Sequence, residues 1–162
     1  MPISSDEFRA ALSKFASGVT VVTTKDNDGN LYGITVSAFC SLSLEPPLIL
    51  ICIEKSAACH FAVSESGVFA VNVLSADQAH HSDHFALSIP DKFRTVEHDR
   101  TANGLPLLKE SIVSLECELV NSHENGDHTI FVGKVEKTFL NGGSEPLLYF
   151  DGLYRSVGES IG

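Results

Sequence analysis

The chain has 162 residues, with 11 basic against 21 acidic, a formal charge of −10, and a hydrophobic fraction of 43%. That length and composition fit one globular domain spanning residues 1–162, and no apolar run approaches the span of a bilayer. The acidic balance repels polyphosphate backbones and argues against nucleic acid as a partner, while a phosphorylated small ligand would need a local pocket of donors.

At the N-terminus, Ser4 and Glu7 have capping-box spacing, and Phe8, Ala11, Leu12 and Phe15 recur at helical intervals. The spacing predicts a short amphipathic helix that Gly18 stops. Val19 to Thr24 reads as a β-branched strand, and Lys25 to Asn30, with Asp28-Gly29, as a hairpin turn. From Gly33 to Ser43 the hydroxyls of Thr35, Ser37, Ser41 and Ser43 alternate with Ile34, Val36, Ala38 and Leu42, which is the period of a strand. One face can enter a core while the other offers neutral hydroxyls and backbone groups to an anionic or polar-edged ligand. Gly33 permits close approach to the main chain. A hydroxyl-rich hairpin inside a core fits the same pattern. Pro46 and Pro47 force a turn around Glu45, after which Leu48 to Ile53 reads as a buried strand ended by Glu54-Lys55-Ser56.

Ser56 is positioned to cap a helix with Ala57, Phe61 and Val63 on its apolar face, and Gly67 ends it before a strand from Val68 to Leu74. Ser75 and Gln78 form a second capping-box pair, opening a helix through His84, Phe85 and Ala86. Leu87 to Lys109, with Pro90, Gly104 and Pro106, reads as loop with short helical turns at most, the kind of segment that lines sites. A long strand from Ser111 to His123 turns at Asn125-Gly126-Asp127 and returns over His128 to Thr138. Two short extended segments flank Asp151-Gly152. Six or seven antiparallel strands with two or three helices predict an α+β, mainly β, barrel-like fold with helices at its margins.

The sequence holds neither a dinucleotide fingerprint, a phosphate loop nor a nucleophile elbow. Cys40, Cys52, Cys59 and Cys117 form no C-x-x-C pair, so no zinc site or disulfide framework is indicated and a cytoplasmic location is expected. His80, His81 and His84 share a helix face but lack the carboxylate of a zinc-protease motif, and a solvated face fits them better than a metal. His128 follows a turn at the mouth of a strand, where a side chain can face a pocket; an ordinary strand-end histidine fits equally.

Taken together, the segments Phe15 to Thr24, Gly33 to Pro47, Ser66 to Leu74, Gly104 to Leu108, Leu115-Glu116-Cys117, Gly126-Asp127-His128 and Pro146 to Tyr154 resemble the flavin reductase family. These are small NAD(P)H:flavin oxidoreductases that serve two-component monooxygenases and share the FMN-binding split-barrel fold. The resemblance implies that Thr35, Val36 and Ser37 hold the isoalloxazine edge, with Ser41, Leu42 and Ser43 nearby. It places Cys52, Ile53, Glu54, Lys55 and Ser56 along the ribityl and phosphate side, and Asp83, Phe85 and Lys92 toward the phosphate or adenylate end. His128 matches the histidine beside the nicotinamide, and Tyr154 the aromatic near the same groove. Ala58 stands where relatives often carry a hydroxyl.

The implied cofactors are FMN or FAD, with NADH or NADPH as hydride donor. The implied partners are a flavin-dependent monooxygenase and a second copy of the chain. Hydride transfer of this kind needs stacking and orientation rather than an acid–base dyad, which suits a chain without a catalytic motif. A non-catalytic split-barrel protein that holds FMN as electron carrier or sensor is the alternative.

Overall fold

The computed structural model describes residues 2–142 and 145–162. The chain opens with α1 (Ser5–Leu12) and the short β1 (Ser17–Gly18), followed by β2 (Thr20–Lys25), β3 (Leu31–Val36), β4 (Phe39–Ser43) and β5 (Leu48–Glu54). Then come α2 (Ala58–Ser66), β6 (Val68–Val73) and α3 (Ala79–Ala86). The pair β7 (His98–Arg100) and β8 (Pro106–Leu108) precedes the long β9 (Val113–Asn125) and β10 (His128–Leu140), and β11 (Leu148–Phe150) and β12 (Leu153–Arg155) close the fold.

Seven strands form one antiparallel sheet in the order β3-β2-β6-β9-β10-β5-β4. If flat, such a sheet would hold its two edges roughly 29 Å apart. Yet edge strands β3 and β4 are joined by Ser37 and Ala38 alone, which limits the separation of the Val36 and Phe39 Cα atoms to about 11 Å. The sheet therefore curls until its edges nearly meet, giving a barrel split at Ser37-Ala38. This corrects the expectation of one continuous strand from Gly33 to Ser43. The hydroxyl alternation is real, but β3 pairs with β2 and β4 with β5, so the run divides at the seam.

The barrel interior packs Val22, Val36, Ile49, Ile51, Ile53, Phe69, Val71, Cys117 and Phe131, closed by Cys59 and Val63 of α2. A second cluster, Val19, Val21, Leu74, Phe85, Phe93 and Leu108, lies between the outer face of β2 and α3. In β5, burial alternates, with Ile49, Ile51 and Ile53 inward and Leu48, Leu50 and Cys52 less covered. The strand read as buried on both faces is thus buried on one.

Local chemistry explains most boundaries. Both capping boxes form, at Ser4/Glu7 and Ser75/Gln78, and Gly67 ends α2 in the left-handed region with φ of 67°. Three expectations need correction. Helix α1 stops at Leu12, well before Gly18, and buries none of its residues. Ser56 does not cap α2: Ala57 occupies the cap, and the Ser56 hydroxyl donates to Glu54 Oε1 at 2.7 Å. Phe61 points to solvent, and Cys59, Ala62 and Val63 form the buried face of α2 instead.

Candidate functional site

The seam exposes main chain. Thr20 Oγ1 donates to the Val36 carbonyl at 2.6 Å, so that carbonyl faces β2, while the Gly33 carbonyl accepts from Lys92 Nζ at 3.0 Å on the opposite side. Antiparallel pairing alternates the direction of both backbone groups from residue to residue. The N–H and C=O of Thr35, two residues after Gly33, therefore also point away from β2, off the open edge. Among the described residues they take no backbone partner outside the sheet. An amide donor and a carbonyl acceptor presented side by side suit a planar ligand edge that alternates acceptor and donor.

Two hollows flank this edge, one on the Gly33 side and one on the Ser37 side. A cavity of about 430 Å³ lies beyond Gly33, between β3, the start of α2 at Ser56-Ala57-Ala58 and the segment from Phe85 to Lys92. A groove of about 1100 Å³ lies beyond Ser37, floored by Phe39, Leu50, Cys52 and Glu54 and walled by Phe8 and Leu12 of α1, Tyr149 and His128.

Lys92 is the cation of the smaller cavity. Its ammonium also donates to the Phe85 carbonyl at 2.8 Å, and burial pushes its pKa below the ordinary lysine value. The uncapped amides at the start of α2 face the same space, so donors converge there in an otherwise acidic protein. In the groove, His128 Nδ1 sits 2.7 Å from Asp127 Oδ1, and this bond holds the Asp127 carboxyl below its usual range. A neutral His128 that donates from Nδ1 keeps Nε2 as an acceptor. Cys59 is fully buried and its thiol is pushed up to about 12, which removes it as a nucleophile.

Residues 12–158 match the family model of the flavin reductase like domain. The chain belongs to the flavin reductase family. It is 40% identical over 153 residues to an NADH-dependent flavin reductase of a Rhodococcus species, covering 92% of this chain and 84% of that one. It is 38% identical over 153 residues to the reductase component of a 4-nitrophenol 4-monooxygenase/4-nitrocatechol 2-monooxygenase of Rhodococcus opacus, covering 94% and 81%. Among solved structures, the NADH:FAD oxidoreductase of Streptomyces globisporus C-1027, in complex with NAD and FAD fragments, aligns with a TM-score of 0.89 at 34% identity, covering 98% of each chain. The split-barrel fold is that of these neighbours.

Within this flavin reductase family member, the structure places Gly33, Ser56, Phe85 and Lys92 around the cavity, and Ser37, Cys52, Glu54 and His128 around the groove. Thr35 and Val36 occupy the edge between them. The Val36 and Ile53 side chains are buried in the barrel, and the Val36 carbonyl is turned toward β2, so neither side chain reaches a ligand at the edge. Lys55 pairs with Glu124 at 2.9 Å. Ser41, Leu42 and Ser43 lie on edge strand β4, outside the lining of both hollows. Tyr154 also lies outside the groove lining; Tyr149, its cross-strand partner with ring centroids 5.7 Å away, lines it instead. Sequence reasoning missed Tyr149 and the α1 contribution, because nothing in the local pattern shows which end of the chain meets the seam.

Proposed function

We propose that this chain is an NADH-dependent flavin reductase that binds a flavin nucleotide, FMN or FAD, across the seam and the nicotinamide in the groove. In this reading it delivers reduced flavin to an oxygenase partner. The observation that carries the proposal is the open Thr35 amide and carbonyl at the split of the barrel, with a hollow on either side of it. The pyrimidine edge of an isoalloxazine alternates carbonyl, N–H and carbonyl, which matches that pair of groups. A flavin held there by the Thr35 backbone pair would supply the redox chemistry, as acceptor of a hydride from NADH.

The residues of the chain bind and orient. Thr35 fixes the ring edge, Lys92 and the α2 amides attract the phosphate end, and Phe39 and Tyr149 wall the groove. His128, oriented by Asp127, offers Nε2 to the carboxamide N–H of the nicotinamide. The carboxylates lining the groove are Glu54 and Asp127, and its guanidinium, Arg9, is already paired with Asp6 at 3.3 Å. A 2′-phosphate therefore meets carboxylates, which favours NADH over NADPH.

Helix α1 and the turn that follows it support assembly as a homodimer. Phe8, Leu12 and Phe15 are 49%, 56% and 80% exposed, an apolar face beside the groove that a second copy would cover. The relatives named as reductase components of two-component enzymes support a flavin-dependent oxygenase as the recipient of reduced flavin.

The test is steady-state oxidation of NADH and NADPH with FMN, FAD or riboflavin added. Flavin-dependent turnover with NADH, at a kcat/KM above that with NADPH, is expected. Absence of flavin-stimulated oxidation with either nucleotide would overturn the reading. A flavin retained through dialysis and indifferent to NADH would point instead to the carrier role.

A further inference from the structure

The hydroxyl of Tyr154 lies 2.6 Å from Asp83 Oδ1 and 2.8 Å from Ser82 Oγ, and the Ser82 carbonyl in turn accepts from Thr35 Oγ1 at 2.6 Å. We infer that Tyr154 is a positioning residue for the flavin: through Asp83 and Ser82 it holds α3 where the Ser82 carbonyl captures the Thr35 hydroxyl and so fixes the open Thr35 backbone pair at the seam. The inference rests on the flavin reading of that seam.

Proton counting sets the direction of the chain of bonds. A phenol carries one proton and a carboxylate only accepts, so Tyr154 donates to Asp83 and Ser82 Oγ donates to Tyr154. The proton of Thr35 Oγ1 is spent on the Ser82 carbonyl. The Thr35 side chain is thus committed to α3, and its backbone is what remains for a ligand. Burial and the bond to Asp83 both raise the Tyr154 pKa, which keeps the donor protonated through the neutral range.

The anchor behind Tyr154 is equally defined. Strands β11 and β12 form a hairpin whose turn residue Asp151 pairs with Lys14 Nζ at 2.5 Å and donates its backbone N–H to the Ser13 carbonyl at 2.8 Å. Strand β11 also pairs with β1. One end of the hairpin is therefore tied to the C-terminus of α1, which walls the groove, and the other to α3, which backs the seam. On the same side, Lys92 Nζ ties the Phe85 carbonyl to that of Gly33. The Tyr154 relay fixes the strand two residues further on, at the point a ring edge would meet.

The experiment compares Y154F, D83A, D83N and T35V with wild type, measuring flavin affinity by fluorescence quenching and the KM values for flavin and NADH separately. Quenching needs no turnover, and the wild-type assay shows first whether the flavin reading itself holds. Y154F, which keeps the ring, is expected to raise the flavin Kd and KM about tenfold, the loss of one charge-assisted hydrogen bond, with the NADH KM unmoved. D83A is expected to match it. D83N, whose amide oxygen still accepts from the phenol, should recover most of the loss, and the double variant Y154F/T35V should be no worse than the poorer single one. Should Y154F fail to fold, D83A against D83N carries the same comparison. Wild-type flavin affinity in Y154F and D83A, full additivity with T35V, or a rise in the NADH KM in place of the flavin KM would each overturn the inference.

Discussion

A methyl group added to Gly33 would lie 2.5 Å from Cε1 of Phe85 and 3.2 Å from Cζ of Phe93. The absence of a side chain on β3 is thus what lets α3 sit flat against the seam, with Phe85 fully buried between them. The close approach that Gly33 permits is made by a core aromatic. G33A must push the buried Phe85 ring out of its place, and a loss of about 2 kcal/mol in urea unfolding is expected, in the range of other overpacked cores. Pairing it with Phe85→Leu should recover part of that loss; equal stability of G33A and wild type would refute the packing argument.

The turn before β3 gives a pH dependence. Asp26 accepts from Asn30 Nδ2 at 2.9 Å, from the Asn30 and Asp28 backbone N–H groups at 2.8 and 3.0 Å, and from the Tyr32 hydroxyl at 3.1 Å. The Asn30 side chain leads in holding its carboxyl below the ordinary aspartate value, with burial acting in opposition. Because the folded value is depressed, the unfolded chain takes up the proton first as pH falls. The stabilisation is therefore complete above about pH 4 and is lost below it. Thermal melts from pH 6 to pH 3 should show wild type losing its advantage over Asp26→Asn across that acid window; a constant gap would show that the carboxylate contributes nothing as a charge.

His128 and Asp127 act at the groove. H128A removes the acceptor offered to the nicotinamide, and a rise of about fivefold to tenfold in the NADH KM is expected, with kcat less affected and flavin affinity retained. Unchanged NADH saturation would show that the nicotinamide lies elsewhere in the groove.

The apolar face formed by α1 and the turn after it, which carries Phe15, predicts the assembly. Phe15→Asp puts a charge on the most exposed aromatic of that face and should convert a dimer to a monomer in light scattering at micromolar concentration, with flavin and NADH affinities falling together as the groove wall loosens. A wild-type protein already monomeric at that concentration would refute the assignment.

Much of the site was legible in the sequence because it is carried by local signals. The alternation through Thr35 and Ser37, the proline corner at Pro46 and Pro47, the capping boxes and the turn before His128 are each set by backbone preferences within a few residues. The strand order was not legible. Which partner β3 and β4 take depends on long-range pairing, so the break at Ser37-Ala38 is hidden inside an unbroken strand pattern. The same reason hid Tyr149, which reaches the groove because β11 pairs with β1 at the other end of the chain.

The sequence by itself determined most of the elements, the two capping boxes and the family, since these rest on residue spacing and on ordered motifs. Tertiary structure alone decided that two strands joined by two residues become opposite edges of one curled sheet. That closure leaves the Thr35 amide and carbonyl open, because a strand at the split has a neighbour on one side only.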